Sequence, residues 1–375
     1  MKPLVLAGGL ILIAWVLWDT FETVLLTRRV PGRLRISRSV AGWLWAVWAL
    51  VACRIPNRRR RETFLSFYAL LATLSMYLVW TVGLVIAFAM LHWGEGSRLS
   101  GMIEVGRIPG TYGFGDDLYM SGTTFFTLGL GDLHPANAAA RVITVVEAGT
   151  GFGLLALIIA YVPVLYQSFA GREARIITLD EWAGSPPSAA VLLRRCFEAR
   201  DPNVIDPLLR DWETVSAQIL ESHLSYPILC YFRSQHDNQS WLGSLVAILD
   251  TCALVMVGVE GIDPFQARLT FAAARHALVD LSQAFRLKPE PAERLRMSGT
   301  DLTELRAWLA ASGVRLAAGA EADRRFTELR DLYAPFAHQL SRVLLMPLPA
   351  PLPAHRLRYN WETTQWGGTA KDDAH

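Results

Sequence analysis

The sequence predicts an all-α membrane protein with a helical C-terminal domain. The chain of 375 residues is 52% hydrophobic and only 19% charged, whereas a soluble domain carries about a quarter charged residues. Long apolar runs fill the part before residue 170, and ordinary amphipathic helical patterns follow from Gly171. The predicted domains are 1–63 (a spanning helix and an Arg-rich segment), 64–170 (two spans and the loop between them), 171–346 (an all-α cytoplasmic domain) and 347–375 (a Pro-rich, disordered tail).

Three apolar runs are long enough to cross a bilayer, whose hydrocarbon core needs about 20 helical residues. They cover residues 3–26, 64–93 and 138–169, and the second contains no charged residue. A Trp-rich run at 40–53 has only 14 residues. We expect it to form an interfacial or partly buried helix, although the sequence leaves open whether it crosses.

A fourth apolar run, residues 241–259, has two interpretations. It has the length of a span, but Asp250 lies at its centre and soluble helical patterns flank it. A central Asp disfavours membrane insertion by about 3 kcal/mol. The sequence therefore favours a buried helix of the C-terminal domain over a membrane span, and a span would move the C-terminus to the other side.

The charged residues between the runs predict the orientation. Segments 28–39 and 54–62 together hold ten Arg and one Glu, and the loop 94–137 holds five acids and two Arg. Because positively charged loops stay in the cytoplasm, the N-terminus is expected outside and the C-terminal domain inside. Within the second of these segments, an Arg cluster consists of Arg58, Arg59, Arg60 and Arg61. The cytoplasmic location of this segment is enough to explain the cluster, and binding of anionic lipid is the alternative explanation.

Several functions are disfavoured by composition. The formal charge of +2 argues against a nucleic-acid binder, which would carry a basic face. The four Cys are far apart and match no transition-metal spacing. No nucleophile–base pair or paired carboxylates stand out, so we expect neither an enzyme nor a bound cofactor.

The loop between the second and third spans carries the most informative motif. It reads Thr127-Leu128-Gly129-Leu130-Gly131-Asp132 and follows a short predicted helix, Leu118–Phe126. A ring of backbone carbonyls around an ion requires alternating backbone conformations that Gly adopts cheaply. Gly129 and Gly131 have that alternation, and the Thr127 hydroxyl can add a ligand at the inner end.

This arrangement resembles the pore loop of tetrameric potassium channels, and the resemblance covers residues 64–169. It implies an outer helix, a pore helix, a filter and an inner helix, with K⁺ bound by the carbonyls of residues 127–131. Because the filter is a ring of four loops, it also implies a homotetramer. Gly151 lies where the family has its inner-helix hinge. Pro163 is expected to kink that helix, and the kink could either form part of a gate or have no role in gating. The resemblance further implies a multi-pass protein of the bacterial inner membrane.

The chain departs from the family's pattern at four positions. The filter Tyr is Leu130, and the Trp that pairs with it is Met120. A pore-helix Glu of some members is Thr123, and the usual Thr before Thr127 is Phe126. Asp132 is retained. Three functions therefore stay open: a K⁺ channel, which the motif favours, a weakly selective K⁺/Na⁺ channel, and a non-conducting membrane sensor or scaffold that reuses the fold.

Other residues in the spans also have two interpretations each. Glu147 could pair with Ser or Thr behind the filter or face the pore as a cation site. Gly149 and Gly153 form a GxxxG pair, so close helix packing competes with the hinge role around Gly151. Asp19 is expected to pair locally with Arg28 and Arg29, with an interhelical contact as the alternative.

Overall fold

The structure is a computed structural model, and it describes residues 2–24, 36–96, 99–101, 112–199, 201–289, 291 and 297–352. These ranges are mostly helical. The helices are α1 Lys2–Val24, α2 Ile36–Ala52, α3 Arg58–Glu95, α4 Phe114–Phe125, α5 Ala138–Ala183, α6 Ala189–Phe197, α7 Ile205–Ser225, α8 Trp241–Gly258, α9 Phe265–Ala284, α10 Gly299–Ala311, α11 Ala320–Asp331 and α12 Ala334–Leu344. Two short strands, β1 Leu99–Gly101 and β2 Leu133–Pro135, pair antiparallel. The all-α membrane architecture is thereby confirmed.

The chain divides into two compact units. The first comprises Met1–Arg54 and Phe67–Tyr166, and the second comprises Ile55–Ser66 and Gln167–His375. Residues 55–66, which contain Arg58–Arg61 and the first turns of α3, group with the C-terminal residues. Helices α3 and α5 therefore contribute residues to both units.

Helix α1 packs against α3 in the opposite direction. Leu6 lies against Gly94, and Val16 lies against Gly83. Near the end of α1, the Asp19 carboxylate accepts a hydrogen bond of 2.8 Å from the Trp80 indole. The contact partners on α3 thus come earlier in the sequence as α1 proceeds, so α1 starts level with the C-terminal end of α3.

Helix α2 runs in the same direction as α1, along the part of α3 that contains Tyr68. The Ser37 backbone N–H donates to Asp19 at 3.1 Å, and further on the Tyr68 hydroxyl donates to the Ala41 carbonyl at 2.8 Å. A helix crossing back would run against α1, so α2 is not a return span. Asp19 has the interhelical contact of the alternative prediction, and Arg28 and Arg29 lie outside the described residues.

The C-terminal unit is a helical bundle built around α8. By length and composition α8 could cross a membrane, as could α1, α3 and α5, but 83% of its apolar window is buried within the unit. The Asp250 carboxylate accepts hydrogen bonds from the Tyr333 hydroxyl and, at 3.1 Å, from Arg330. The central acid is therefore paired inside a protein core, as the preferred interpretation of 241–259 required.

The first part of the predicted disordered tail packs on this bundle. The Pro351 carbonyl accepts hydrogen bonds from the Ala190 N–H at 3.1 Å and from the Ser188 hydroxyl at 2.7 Å. Leu348 and Leu352 contact the core. The prediction of disorder from residue 347 is thus wrong for 347–352, because these residues cover the start of α6. The remainder, 353–375, lies outside the described residues.

Acid is expected to destabilise the C-terminal unit through His223. Burial, and secondarily the Arg172 guanidinium 3.0 Å from its Nε2, holds the pKa of His223 well below 6.5. Below pH 6.5 the imidazole of His223 is protonated in the unfolded chain but stays neutral in the folded chain. The free energy of unfolding therefore falls by up to about 1.4 kcal/mol per pH unit. Melting of the full chain in detergent between pH 7.5 and 5.5 measures this. A His223→Gln variant should show a shallower decline, and equal slopes would refute the assignment.

Candidate functional site

The segment after α4 alternates between two backbone conformations. Thr127, Gly129 and Gly131 have φ values of 57°, 54° and 77°, whereas Leu128 and Leu130 are not in the positive-φ region. Such alternation is what turns successive carbonyls toward one axis. Thr127 was not expected to share the conformation of the two glycines. A β-branched residue there costs about 1–3 kcal/mol, and strain of this kind concentrates at functional sites.

The end of α4 holds the beginning of this segment by backbone hydrogen bonds. The Leu128 N–H donates to the Thr123 carbonyl at 2.8 Å, and the Thr127 N–H donates to the Thr124 carbonyl at 2.9 Å. The Thr123 hydroxyl bonds back to the Met120 carbonyl at 2.9 Å, and the Met120 side chain is buried. Thr123 and Met120 therefore stabilise the turn rather than reach into the segment.

The far end of the segment is held by a side chain that the sequence analysis missed. The Tyr119 hydroxyl donates a 2.8 Å hydrogen bond to the Asp132 carboxylate. Tyr119 precedes Met120, the residue that the resemblance places at the family's Trp, so its bond to Asp132 is a separate polar support for the segment. The sequence did contain a signal for this contact, namely a Tyr in the predicted short helix together with the retained acid Asp132.

The N-terminal end of α4 is capped by acid. The Asp116 carboxylate accepts a 2.9 Å hydrogen bond from the Gly113 N–H, and Asp117 is fully buried in the same turn. Carboxylates favour the positive end of a helix dipole. The negative C-terminal end of α4 correspondingly lies at residue 125, directly before the alternating segment.

Gly151 is the point where α5 crosses the end of α4. A Cβ atom built on Gly151 would lie 2.1 Å from the Phe125 carbonyl oxygen, whereas at Gly149 and Gly153 it would meet nothing within 4 Å. Close packing therefore falls on Gly151 and not on the GxxxG pair. Helix α5 is continuous through both Gly151 and Pro163.

A buried polar cluster joins three helices behind α4. Glu147 on α5 has no exposed surface, accepts a hydrogen bond from the Ser121 hydroxyl on α4 and lies 3.3 Å from the His92 ring nitrogen on α3. This is the pairing interpretation of Glu147; the pore-facing interpretation is wrong within this chain. His92 was not anticipated, because its partner is 55 residues away.

The segment after Asp132 is also anchored. Strand β2 pairs with β1 of the loop, with Ser100 opposite His134. The Asn137 amide donates to the Glu95 carboxylate at 2.7 Å, which connects the start of α5 to the end of α3. In the described part of the chain, no group of three or more His, Cys, Asp or Glu side chains could hold a metal ion.

The Tyr119–Asp132 bond makes a prediction for the filter-like segment. The bond lies at an exposed site, so its removal should weaken the support of the segment without unfolding the chain. We expect Tyr119→Phe to reduce cation flux several-fold, and Asp132→Asn to add little on top of it. Flux from proteoliposomes carrying wild type, each single variant and the double variant measures the coupling. Additive losses would mean that the bond does not support the segment.

Comparison with known proteins identifies the same region. Residues 63–167 match a family model described as an ion channel. The uncharacterized membrane protein YdjJ of Bacillus subtilis (strain 168) is 22% identical over 250 residues, which cover 66% of this chain and 67% of that protein. No solved structure matches. The segment that matches the ion-channel model holds the alternating residues, α4 and the parts of α3 and α5 on either side.

Proposed function

We propose that this membrane protein is the subunit of a homotetrameric K⁺ channel. The observation that carries the proposal is the alternation of left-handed φ at Thr127, Gly129 and Gly131 directly after a capped short helix. In the proposal the carbonyls from Thr127 to Gly131 replace the hydration shell of K⁺. Transport rather than catalysis is the proposed activity.

Tetramer formation is supported by the apolar side chains that one chain leaves uncovered. Leu128 and Leu130 are 60% and 61% exposed, and Phe152 on α5 is 67% exposed. One chain supplies one row of backbone carbonyls, whereas a filter needs four such rows around one axis. We propose that neighbouring copies cover these side chains around the fourfold axis.

The proposed topology has an external N-terminus, three spans and a cytoplasmic C-terminal domain in a bacterial inner membrane. The antiparallel packing of α1 on α3 supports it, because residue 6 then lies on the same side as Glu95 and the filter. Arg58, Arg59 and Arg60 are exposed at the other end of α3, where anionic headgroups of the inner leaflet would attract them. Hinge motion at Gly151 and a gate near Pro163 are further parts of the proposal.

A weakly selective cation channel is the second candidate. It is favoured by Leu130 and Met120, which cannot form the polar bond of the family's Tyr and Trp. The Tyr119–Asp132 bond favours the K⁺-selective candidate, because it restores a polar support for the filter. A non-conducting sensor is the third.

Parallel flux measurements separate these candidates. Purified protein is reconstituted into proteoliposomes, and K⁺ and Na⁺ gradients are compared. Flux of K⁺ alone, blocked by Ba²⁺, supports the selective channel, and equal K⁺ and Na⁺ flux supports the weakly selective one. Flux of neither cation from the wild-type protein would favour the non-conducting sensor.

A further inference from the structure

A polar cavity of about 330 Å³ lies within the C-terminal unit. It is a partly open cavity lined by the first turns of α3 and by residues 233–237 and 239, which precede α8. The lining side chains that matter here are Glu62, Thr63, Ser66, Arg233, Asp237 and Gln239. Small-molecule sites start at about 300 Å³, so the cavity has the size of a site for a small headgroup.

Two buried charged side chains in this cavity have polar atoms without partners. Glu62 and Arg233 face each other at 3.5 Å, with side chains only 9% and 7% exposed. Arg233 also donates to the Leu344 and Leu345 carbonyls, yet its Nε and the Glu62 Oε1 make no hydrogen bond with the residues that the structure describes. Burial lowers the pKa of Arg233 to about 10, which leaves it charged at neutral pH. The cavity is thus lined by one side chain with an unpaired acceptor and by one with an unpaired donor.

Neighbouring hydroxyl groups add further acceptors. The Thr63 hydroxyl donates to the Arg59 carbonyl at 3.0 Å, and the Ser66 hydroxyl donates to the Thr63 carbonyl at 2.7 Å. With their hydrogens used in the helix, both oxygens keep lone pairs for a ligand. Together with Glu62 Oε1 they form an acceptor set suited to an ammonium group.

The charges around Glu62 narrow the ligand class. The guanidinium groups of Arg58, Arg61 and Arg233 and the carboxylate of Asp237 all act on Glu62. Three guanidinium groups repel a cation that brings no anionic group of its own, and a simple anion would face the unpaired carboxylate oxygen. A molecule that carries both an ammonium and a phosphate group satisfies both sets of atoms.

We propose that this cavity binds a phosphoethanolamine group, with its ammonium on Glu62 and its phosphate on Arg233. The group could come from a soluble ester or from an aminophospholipid headgroup. The charge-free run of α3 begins at Phe64, immediately after Thr63. A headgroup held here therefore has an apolar helix surface next to it for its acyl chains, which favours the lipid. The proposal concerns binding and does not depend on conduction.

The test compares two soluble probes on the full-length protein in detergent. Isothermal calorimetry measures phosphoethanolamine and glycerol phosphate, which differ in the ammonium group. We expect wild type to prefer phosphoethanolamine by about tenfold or more, the effect of one charge-assisted hydrogen bond. Glu62→Gln should abolish the preference and leave glycerol phosphate unaffected. Glu321→Gln, in an exposed ion pair on α11, is the matched control and should bind like wild type.

A second variant and a lipid arm complete the test. Asp237→Asn removes an exposed acid and should lower the preference partly without affecting folding. Vesicles of phosphatidylethanolamine that displace the soluble probe, where phosphatidylglycerol vesicles do not, identify the lipid as the source. Displacement by neither vesicle identifies the soluble ester. Equal preference in wild type and Glu62→Gln, or no binding of either probe, would overturn the proposal.

Discussion

Replacing Gly129 by Ala should lower cation flux by about a hundredfold or more. The side chain itself has room, since nothing lies within 4 Å of the added Cβ, so the cost comes from the backbone at φ 54°. An L-residue there costs about 1–2 kcal/mol, and in the proposed tetramer four chains pay it in one ring. About 4–8 kcal/mol against the filter conformation corresponds to at least a hundredfold, because each 1.4 kcal/mol is tenfold.

Gly122 provides the control for this prediction. It lies in α4, its φ is not positive, and a Cβ there also meets nothing within 4 Å. Gly122→Ala should therefore conduct like wild type in the same proteoliposome assay. If Gly129→Ala conducted as well as Gly122→Ala, the segment 127–131 would not be the filter.

Replacing Gly151 by Ala should destabilise the pore segment and abolish flux. The new Cβ would lie 2.1 Å from the Phe125 carbonyl oxygen, a backbone atom that cannot move aside by a side-chain rotation. Overpacking costs about 1–3 kcal/mol per chain, and here it pushes the end of α4 away from α5. Because residue 125 directly precedes the alternating segment, the displacement reaches the proposed filter. Thermal melting in detergent and flux are the two measurements.

Gly149→Ala and Gly153→Ala are the matched controls on the same helix. Both have open space at the Cβ position within the chain, so their melting temperatures should equal that of wild type. The comparison also separates two roles of Gly151. A packing role predicts a lower melting temperature, whereas a pure hinge predicts unchanged stability with an altered open probability. An unchanged melting temperature would contradict the packing role.

The outline of the pore segment was accessible from sequence because its signals are local. Runs without charge mark spans, and the glycines at 129 and 131 mark positive φ at their own positions. Each signal depends on near neighbours in the chain. The interpretation of 241–259 as a buried helix also depended on local signals, which were Asp250 at its centre and the soluble helical patterns on either side.

The side-chain partners were not accessible because they come from distant parts of the chain. His92 meets Glu147 across 55 residues, and Trp80 meets Asp19 across 61. Helical periodicity says which face a residue occupies but not which helix covers that face. The course of α2 depends on the same kind of contact, so its apolar length could not decide whether it crosses. Tyr119 was missed because its partner, Asp132, lies 13 residues further along the chain.

The buried cluster of His92, Ser121 and Glu147 bears on how the chain is made. An acid entering the bilayer without a partner costs about 2.5–3.5 kcal/mol at the centre of a helix. Both partners precede Glu147 in the sequence, so they are synthesised before α5 leaves the ribosome. Helix α5 can therefore insert against partners that are already in the membrane, and biogenesis of the pore follows the order of the chain from α3 through α4 to α5.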